Sequence, residues 1–301
     1  MALTLIILAI LILSLICVVA MFYRLKQQPA VKLSSLDYIK LIFSGILAFI
    51  ADTIGIGSFA VNVALAKLLG TFPDDELPAV NNGAQVIPGT FESIFFMQLV
   101  DVDLTMMVTL VAGTCIGGLV GGAIVTRLSK QAIRLAMMYC FTGIIILLVC
   151  HQLRILPVGG ELMELHSWKL LIGFLALMVC GALTTVGIGL FAMVQGVLFL
   201  LNVSPVVAFP IMTTAGAMQQ PLTTLVFVQQ NKIPLKKTLI LSFAGCIGVF
   251  ITLPLFTQLT VSWLRSLLLC ILIYNLFAIG RTYFRTRSKI LVEPKLELSS
   301  S

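Results

Sequence analysis

Long apolar stretches separated by short polar turns run through most of this chain. Several reach the ~20 residues that an α-helix needs to cross the hydrocarbon core of a bilayer, whereas two are short. The pattern predicts an all-α polytopic membrane protein and leaves open whether the short segments cross the membrane or re-enter. The apolar segments are 2–22, 36–54, 57–70, 78–98, 105–127, 131–150, 167–186, 188–203, 205–230, 236–257 and 261–284.

Short matches in the same order indicate that the chain contains two repeats. Gly55-Ile56-Gly57 matches Gly187-Ile188-Gly189, and Cys115-Ile116-Gly117 matches Cys246-Ile247-Gly248 at nearly the same spacing. Pro78 and Pro210 match as well, and each precedes a polar patch, NNGAQ in one half and TTAGAMQQ in the other. Matches in register favour a duplication. The predicted parts are an N-terminal transmembrane helix and basic linker at 1–35, repeats at 36–155 and 156–284, and a disordered cytoplasmic tail at 285–301.

The signs of the loop charges predict that the two repeats have opposite orientations. In the first half the 24–40 and 127–134 loops are basic and the 101–103 loop is acidic, which places them inside, inside and outside. In the second half the counterpart of the 101–103 loop, at 232–237, is basic, and the counterpart of the 127–134 loop, at 258–263, is nearly uncharged. This swap predicts inverted-topology repeats in the plasma membrane, with the N-terminus outside and the C-terminus cytoplasmic.

Composition narrows the class of protein further. Of the 301 residues 59% are hydrophobic and 10% are charged, and the mean hydropathy is +1.12, which is typical of an integral membrane protein. The basic residues that produce the net charge of +7 flank the apolar stretches, where they orient the helices in the membrane. We therefore expect no nucleic-acid partner. Neither GxxxxGK[ST] nor HExxH occurs, so we expect no enzyme and no cofactor. His151 and His166 have no third ligand at a useful spacing, and we expect no metal site.

The glycine pairs lie in the middle of what would otherwise be continuous membrane helices. Inverted repeats with interrupted segments at corresponding positions are typical of secondary transporters with a site near the bilayer midplane. A helix that restarts inside the membrane presents free backbone N–H groups and a partial positive charge, which together can bind an anion. We therefore predict substrate contacts at Gly55, Gly57, Ser58, Gly187 and Gly189. The alternative is that these glycines only allow helices to pack closely.

Polar patches near the breaks supply further candidates for substrate binding. Amide and hydroxyl groups can donate hydrogen bonds to oxyanions without burying a charge. Interhelical hydrogen bonds that hold the bundle together would explain the same residues equally well. Asn82 and Thr214 are the first choices within the set, which comprises Asn81, Asn82, Gln85, Thr185, Thr213, Thr214 and Gln219.

Two acidic residues are candidates for proton coupling because an ionised carboxylate inside a membrane is unfavourable without a partner. Asp52 precedes the first glycine pair, and Thr184 occupies the equivalent place in the second half. Asp52 could instead cap the short helix. Glu92 is the second candidate, and pairing with Lys67 or an interfacial position would explain it as well. The GTCIGGLVGG run at 113–122 predicts a face for close helix packing.

The segment FIADTIGIGSFAVNVALAKLLG resembles the first-repeat signature of the TauE/SafE family of sulfite and organosulfur anion exporters. VGIGLFAM, followed by VLFLLNVSPVVAFPIMTTAGAMQQPLTTLVF, is similar to the second-repeat counterpart, and the resemblance covers roughly 36–284. Here Ser58 follows the glycines, and Asn62 lies near the position where the family has a proline. The resemblance implies export of an anion driven by an ion gradient, with the site at both glycine pairs and the Asn/Thr patches.

Together these features predict a secondary transporter that exports a small anion, such as sulfite or an organosulfonate, by alternating access, with Asp52 exchanging a proton. The expected partners are this solute, membrane lipid, and protons or another coupling ion, and a homo-oligomer is compatible with the sequence. Two alternatives stay open. A non-transporting scaffold or accessory subunit predicts a dry, packed interior at the breaks, and an anion channel predicts flux that does not saturate.

Overall fold

Eleven helices make up the part of the chain that a computed structural model describes, which is residues 2–98, 101–153, 155, 160–254 and 270–285. No strand occurs among those residues, where pairing of extended backbone is limited to one bridge between Leu162 and Val203. The helices are α1 (Ala2–Leu25), α2 (Ser35–Thr53), α3 (Ser58–Leu69), α4 (Leu77–Met97), α5 (Leu104–Val125), α6 (Lys130–Gln152), α7 (Ser167–Thr184), α8 (Leu190–Leu200), α9 (Pro205–Gln229), α10 (Leu235–Thr252) and α11 (270–285).

The helices confirm the predicted all-α class, and the described part of each predicted apolar segment is helical along most of its length. Five helices, α1, α5, α6, α7 and α10, are long and apolar enough to cross a membrane. Their outward faces carry many exposed leucine, isoleucine and phenylalanine side chains. The chain is therefore a multi-pass helical membrane protein. The 258–263 loop, the side chain of His151 and residues 286–301 of the predicted tail lie outside the described residues.

Two long helices with polar faces, α4 and α9, pack against each other in the centre of the bundle. They carry most of the buried asparagine and glutamine side chains among the described residues. Both also contain interior prolines, Pro88 in α4 and Pro210 and Pro221 in α9. A proline removes one helical hydrogen bond and favours a kink, so these helices are bent or weakened within the bundle.

Glycines allow close backbone contact between the helices that surround this pair. Helix α5 packs on α7, and α10 packs on α2. A Cβ atom at Gly117 would lie 1.8 Å from the carbonyl oxygen of Met178, and one at Gly248 would lie 2.4 Å from that of Ile46. Such contacts exclude any larger residue, so the predicted close-packing face of α5 is confirmed.

Each of the two short helices returns toward the start of the long helix that precedes it. The Lys40 ammonium group near the start of α2 donates to the Leu69 carbonyl oxygen at the end of α3, at 3.0 Å. After the end of α8, likewise, the backbone of Asn202 and Ser204 is hydrogen-bonded to Leu162, which precedes α7. With 12 and 11 residues, α3 and α8 are about 18 and 16 Å long, so neither can cross a bilayer core of ~30 Å alone.

Candidate functional site

The first break separates α2 from α3 by a tight turn whose amides are satisfied within the chain. Gly55 and Gly57 have φ of 90° and 96°, a region that side chains with a Cβ avoid. The amides of Ile56 and Gly57 both donate to the Ala51 carbonyl oxygen, at 2.9 and 3.3 Å. Glycine is thus required here by the backbone of the turn.

The second break, between α7 and α8, is built differently. Gly187 has φ of 98°, but Gly189 has φ of −60°, which any residue can adopt. A Cβ at Gly189 would lie 3.8 Å from the Cβ of Phe59, the second residue of α3. The N-termini of the two short helices therefore face each other closely, as the repeated glycine pairs predict.

A small cavity lies where these two N-termini meet α4 and α9. Its volume is about 10 Å³, enough for about one water molecule. The glycine and apolar part of its lining comprises Phe59, Gly89, Gly189, Leu190, Phe191, Met212 and Gly216. The polar part comprises Asp52, Ser58, Gln85, Glu92, Thr213 and Gln220.

Asp52 caps the N-terminus of α3 from across the break. Its Oδ1 accepts a hydrogen bond from the Ser58 amide at 2.6 Å, and its Oδ2 accepts one from the Gln85 Nε2. The Ser58 hydroxyl donates to the Gln85 Oε1 at 2.7 Å, which fixes the orientation of that amide. Two N–H donors and the positive end of a helix favour an ionised carboxylate. The capping alternative for Asp52 is confirmed, and a carboxyl group already occupies this helix end.

Glu92 lies beside this cap and contacts the hydroxyl of Thr53. The Glu92 Oε1 is 2.7 Å from the Thr53 Oγ1, and its Oε2 is 3.5 Å from the Gln85 Nε2. The same hydroxyl lies 2.9 Å from the Phe49 carbonyl oxygen. Glu92 is only 1% exposed. Pairing with Lys67 is wrong, because Lys67 is paired with Asp74.

The N-terminus of α8 has no equivalent of this acidic cap. Thr184, which occupies the place of Asp52, turns its hydroxyl back to the Cys180 carbonyl oxygen at 2.9 Å. Within the described chain no side chain caps α8, and the amides of Leu190 and Phe191 have no acceptor. Gln220 lines the same cavity at 3% exposure, and its Oε1 has no hydrogen-bond partner among the described residues. The N-terminus of α3 is therefore capped by a carboxyl group, whereas the N-terminus of α8 has no side-chain cap in the described part of the chain.

Several residues predicted for substrate binding line no part of this cavity and instead join helices or close their own turns. Asn82, one of the two first choices, donates to the carbonyl oxygens of Pro78 and Thr184, at 2.8 and 3.3 Å. Thr214, the other, is 3.3 Å from the Ser93 hydroxyl. The remaining members of the set are Gly55, Gly57, Asn81, Thr185, Gly187 and Gln219.

Helical periodicity would have identified the lining residues that these predictions missed. On α9, Thr213, Gly216 and Gln220 are spaced i, i+3 and i+7 and share one face, whereas Gln219 points elsewhere and donates to Thr223. On α4, Gln85, Gly89 and Glu92 are spaced i, i+4 and i+7, so they also share one face. The sequence feature that identifies these lining residues is therefore their position on one face of a helix, not their membership of a polar patch.

Comparisons with protein-family models, curated proteins and solved structures returned no match to this chain. The resemblance to the TauE/SafE family therefore stays a prediction from the residues. The cavity itself combines an open helix N-terminus, neutral amide and hydroxyl groups, and two buried acids. Such an arrangement can hold one small anion next to groups that exchange a proton.

Proposed function

We propose that this protein is a secondary transporter for a small anion, built from two inverted repeats that alternate access to the cavity between α3 and α8. The observation that carries the proposal is the meeting of two broken-helix N-termini at a small, partly polar cavity inside the bundle. Membrane proteins keep irregular backbone at such depth only where protein or a polar cavity satisfies it. Secondary transporters place their substrate sites at such half-helix ends.

Equivalent contacts in the two halves support the inverted repeats. Gly117 approaches the carbonyl oxygen of Met178, and its repeat counterpart Gly248 approaches that of Ile46, the counterpart of Met178. In each half, one helix thus packs closely against a helix of the other half. Each short helix also returns to the start of the long helix before it, which is a second feature that the two halves share. Two similar units that exchange contacts can rock against each other about a fixed central site.

The two helix ends have different roles in the proposed mechanism. Asp52 occupies the end of α3, so the transported anion binds at the end of α8, where amide N–H groups and the helix dipole are unopposed. A second anion at α3 would compete with a carboxylate held by two N–H donors. The site therefore takes one anion at a time.

Opening of the cavity requires helix movement, because its volume of about 10 Å³ is too small for an oxyanion. Pro88 and Pro221 lie next to the lining residues Gly89 and Gln220, on the two central helices. The missing helical hydrogen bonds at these prolines make bending least costly at the level of the cavity.

Of the two acids predicted to couple protons, Glu92 is the better carrier. Both oxygens of Asp52 accept from N–H donors, so protonation would weaken at least one of these bonds. The Thr53 hydroxyl has a single hydrogen and two neighbours, the Glu92 carboxyl and the Phe49 carbonyl oxygen. It can donate to an ionised Glu92, or rotate, donate to Phe49 and accept from a protonated Glu92. Glu92 can thus exchange a proton without movement of heavy atoms.

Export of sulfite or an organosulfonate across the plasma membrane, as the TauE/SafE resemblance implies, is the form of this function that we propose to test first. The purified protein is reconstituted into liposomes, and uptake of sulfite is measured with and without a pH gradient. We expect saturable uptake above that of empty liposomes. Absence of flux across a panel of small sulfur and carboxylate anions would favour a scaffold, and flux that does not saturate would indicate a channel.

Two glycine variants test whether the transported solute passes through the cavity. Gly189→Val extends a side chain from an ordinary φ of −60° into the space next to Phe59 and should abolish uptake. Gly143→Val is the control, because a Cβ at Gly143 on α6 meets no atom within 4 Å. Both variants should elute as folded protein in size-exclusion chromatography. Equal uptake by both would show that the solute takes another route.

A further inference from the structure

We propose that an open groove between α3 and α11 binds an anionic phospholipid, with the headgroup at the basic end of the groove and an acyl chain along α11. The groove shares no described lining residue with the cavity of the proposed transport site. Its volume is about 490 Å³, within the range of about 300–1,000 Å³ that ligand sites occupy. The Asn275 Nδ2 on α11 donates to the Ala60 carbonyl oxygen on α3 at 2.8 Å, so the two helices are in direct contact.

The basic end of the groove is lined by three cationic side chains. Lys67 lies in the last turn of α3, and Arg281 and Arg285 lie in the last two turns of the described part of α11. None of the lining residues that the structure describes is acidic. Lys67 is paired with Asp74, whereas Arg281 is exposed and forms no ion pair with a described residue. A guanidinium group in this position can bind a phosphate through two parallel N–H bonds.

The other end of the groove is apolar. Tyr274, Phe277 and Arg281 are spaced i, i+3 and i+7, so they follow one face of α11 toward the basic end. Phe277 is 68% exposed and offers an aromatic surface to an acyl chain. The groove runs along about 16 Å of helix from Tyr274 to Arg285. A phospholipid has the same change of polarity along its length, whereas a free phosphate would use only the basic end.

Contacts around the groove place its basic end at the level of the polar loops. Lys67 and Arg134 both pair with Asp74 in the loop after α3, and the Lys40 ammonium group donates to the Leu69 carbonyl oxygen. The loop charges predict that this end of the bundle faces the cytoplasm. The cytoplasmic leaflet carries anionic lipids, and basic pockets between membrane helices on that side bind their headgroups. Charge and location therefore favour an anionic phospholipid over a zwitterionic one.

Native mass spectrometry of the purified protein in detergent measures this binding directly. The protein is titrated with phosphatidylglycerol or with phosphatidylcholine that has the same acyl chains. We expect phosphatidylglycerol to bind at least about fivefold more tightly, because the choline group would bring a cation beside Arg281. Glycerol phosphate, which has the polar part without acyl chains, should not displace the bound lipid at the same concentration.

Arg281→Gln removes one cation from the groove and should lower the affinity for phosphatidylglycerol about fivefold. Arg127→Gln is the matched control, because Arg127 is an exposed arginine in the turn between α5 and α6 and does not line the groove. Phe277→Ala, at the apolar end, should weaken the binding of both lipids and keep the preference for phosphatidylglycerol. All three positions are exposed, so the variants should elute as folded protein in size-exclusion chromatography.

Equal affinity of the wild type for the two lipids would overturn the proposal. Equal losses in Arg281→Gln and Arg127→Gln would overturn it as well, since binding would then depend on the charge of the whole surface. Displacement of the lipid by glycerol phosphate would assign the groove to a free anion and reject the lipid. These measurements do not involve anion uptake, so their outcome is independent of the proposed transport function.

Discussion

Asp52→Asn should destabilise the protein although it changes a single atom. The Oδ1 of Asp52 accepts from the Ser58 amide and its Oδ2 from the Gln85 Nε2. An asparagine has one oxygen and one NH₂ group, so in either orientation its NH₂ meets one of these two donors. Rotation of the Gln85 amide would give this NH₂ an acceptor, but the Ser58 hydroxyl, which now donates to the Gln85 Oε1, would then face the Gln85 NH₂ and lose its own acceptor.

The magnitude follows from the two bonds involved. A hydrogen bond to a charged group contributes about 1.5–3 kcal/mol, and a buried donor left without a partner costs about 1–3 kcal/mol. Loss of the negative charge at the start of α3 removes a smaller favourable dipole interaction. We expect a destabilisation of about 2–4 kcal/mol, which corresponds to a fall in melting temperature of roughly 5 °C or more.

Thermal unfolding of the purified protein in detergent, followed by intrinsic fluorescence, measures this effect. Asp103→Asn is the matched control, because Asp103 caps α5 by accepting from the Met106 amide at 2.7 Å. Asparagine caps helices about as well as aspartate, so this variant should melt within about 1 °C of the wild type. Equal melting temperatures for both variants would show that Asp52 does not hold the two N–H donors together.

Three further variants probe packing, ion pairing and coupling. Gly117→Ala should prevent recovery of monodisperse protein in size-exclusion chromatography, because its Cβ would overlap a backbone carbonyl of α7, whereas Gly143→Ala, with open space around it, should be recovered normally. Asp74→Asn removes a buried carboxylate that pairs with both Lys67 and Arg134 and should cost about 3–5 kcal/mol in thermal unfolding, against at most about 1 kcal/mol for Asp75→Asn in its more exposed ion pair. Glu92→Gln should make anion uptake by proteoliposomes insensitive to an imposed pH gradient, and a variant that still responds would move the exchangeable proton to another group.

Hydrophobic patterning placed the helices with errors of a few residues over most of the described chain. The predicted segment at 57–70 is the helix Ser58–Leu69, and the segment at 205–230 is the helix Pro205–Gln229. This agreement has a physical cause. Backbone polar groups inside a membrane must be hydrogen-bonded within helices, and the length of each apolar segment can be read directly from the sequence. The position of the breaks follows equally locally, from glycines that permit a positive φ.

The sequence by itself thus determined a helical membrane protein, its interrupted segments and the presence of a lone acid beside the first glycine pair. Only the tertiary structure decided which partner each polar group takes. It turned Asp52 into the cap of α3, joined Glu92 to Thr53, and placed Gln220 rather than Gln219 at the cavity. These outcomes depend on contacts between helices that are distant in the chain, and a hydrogen-bond partner is fixed by the rotation of each helix face, which composition and motif spacing leave free.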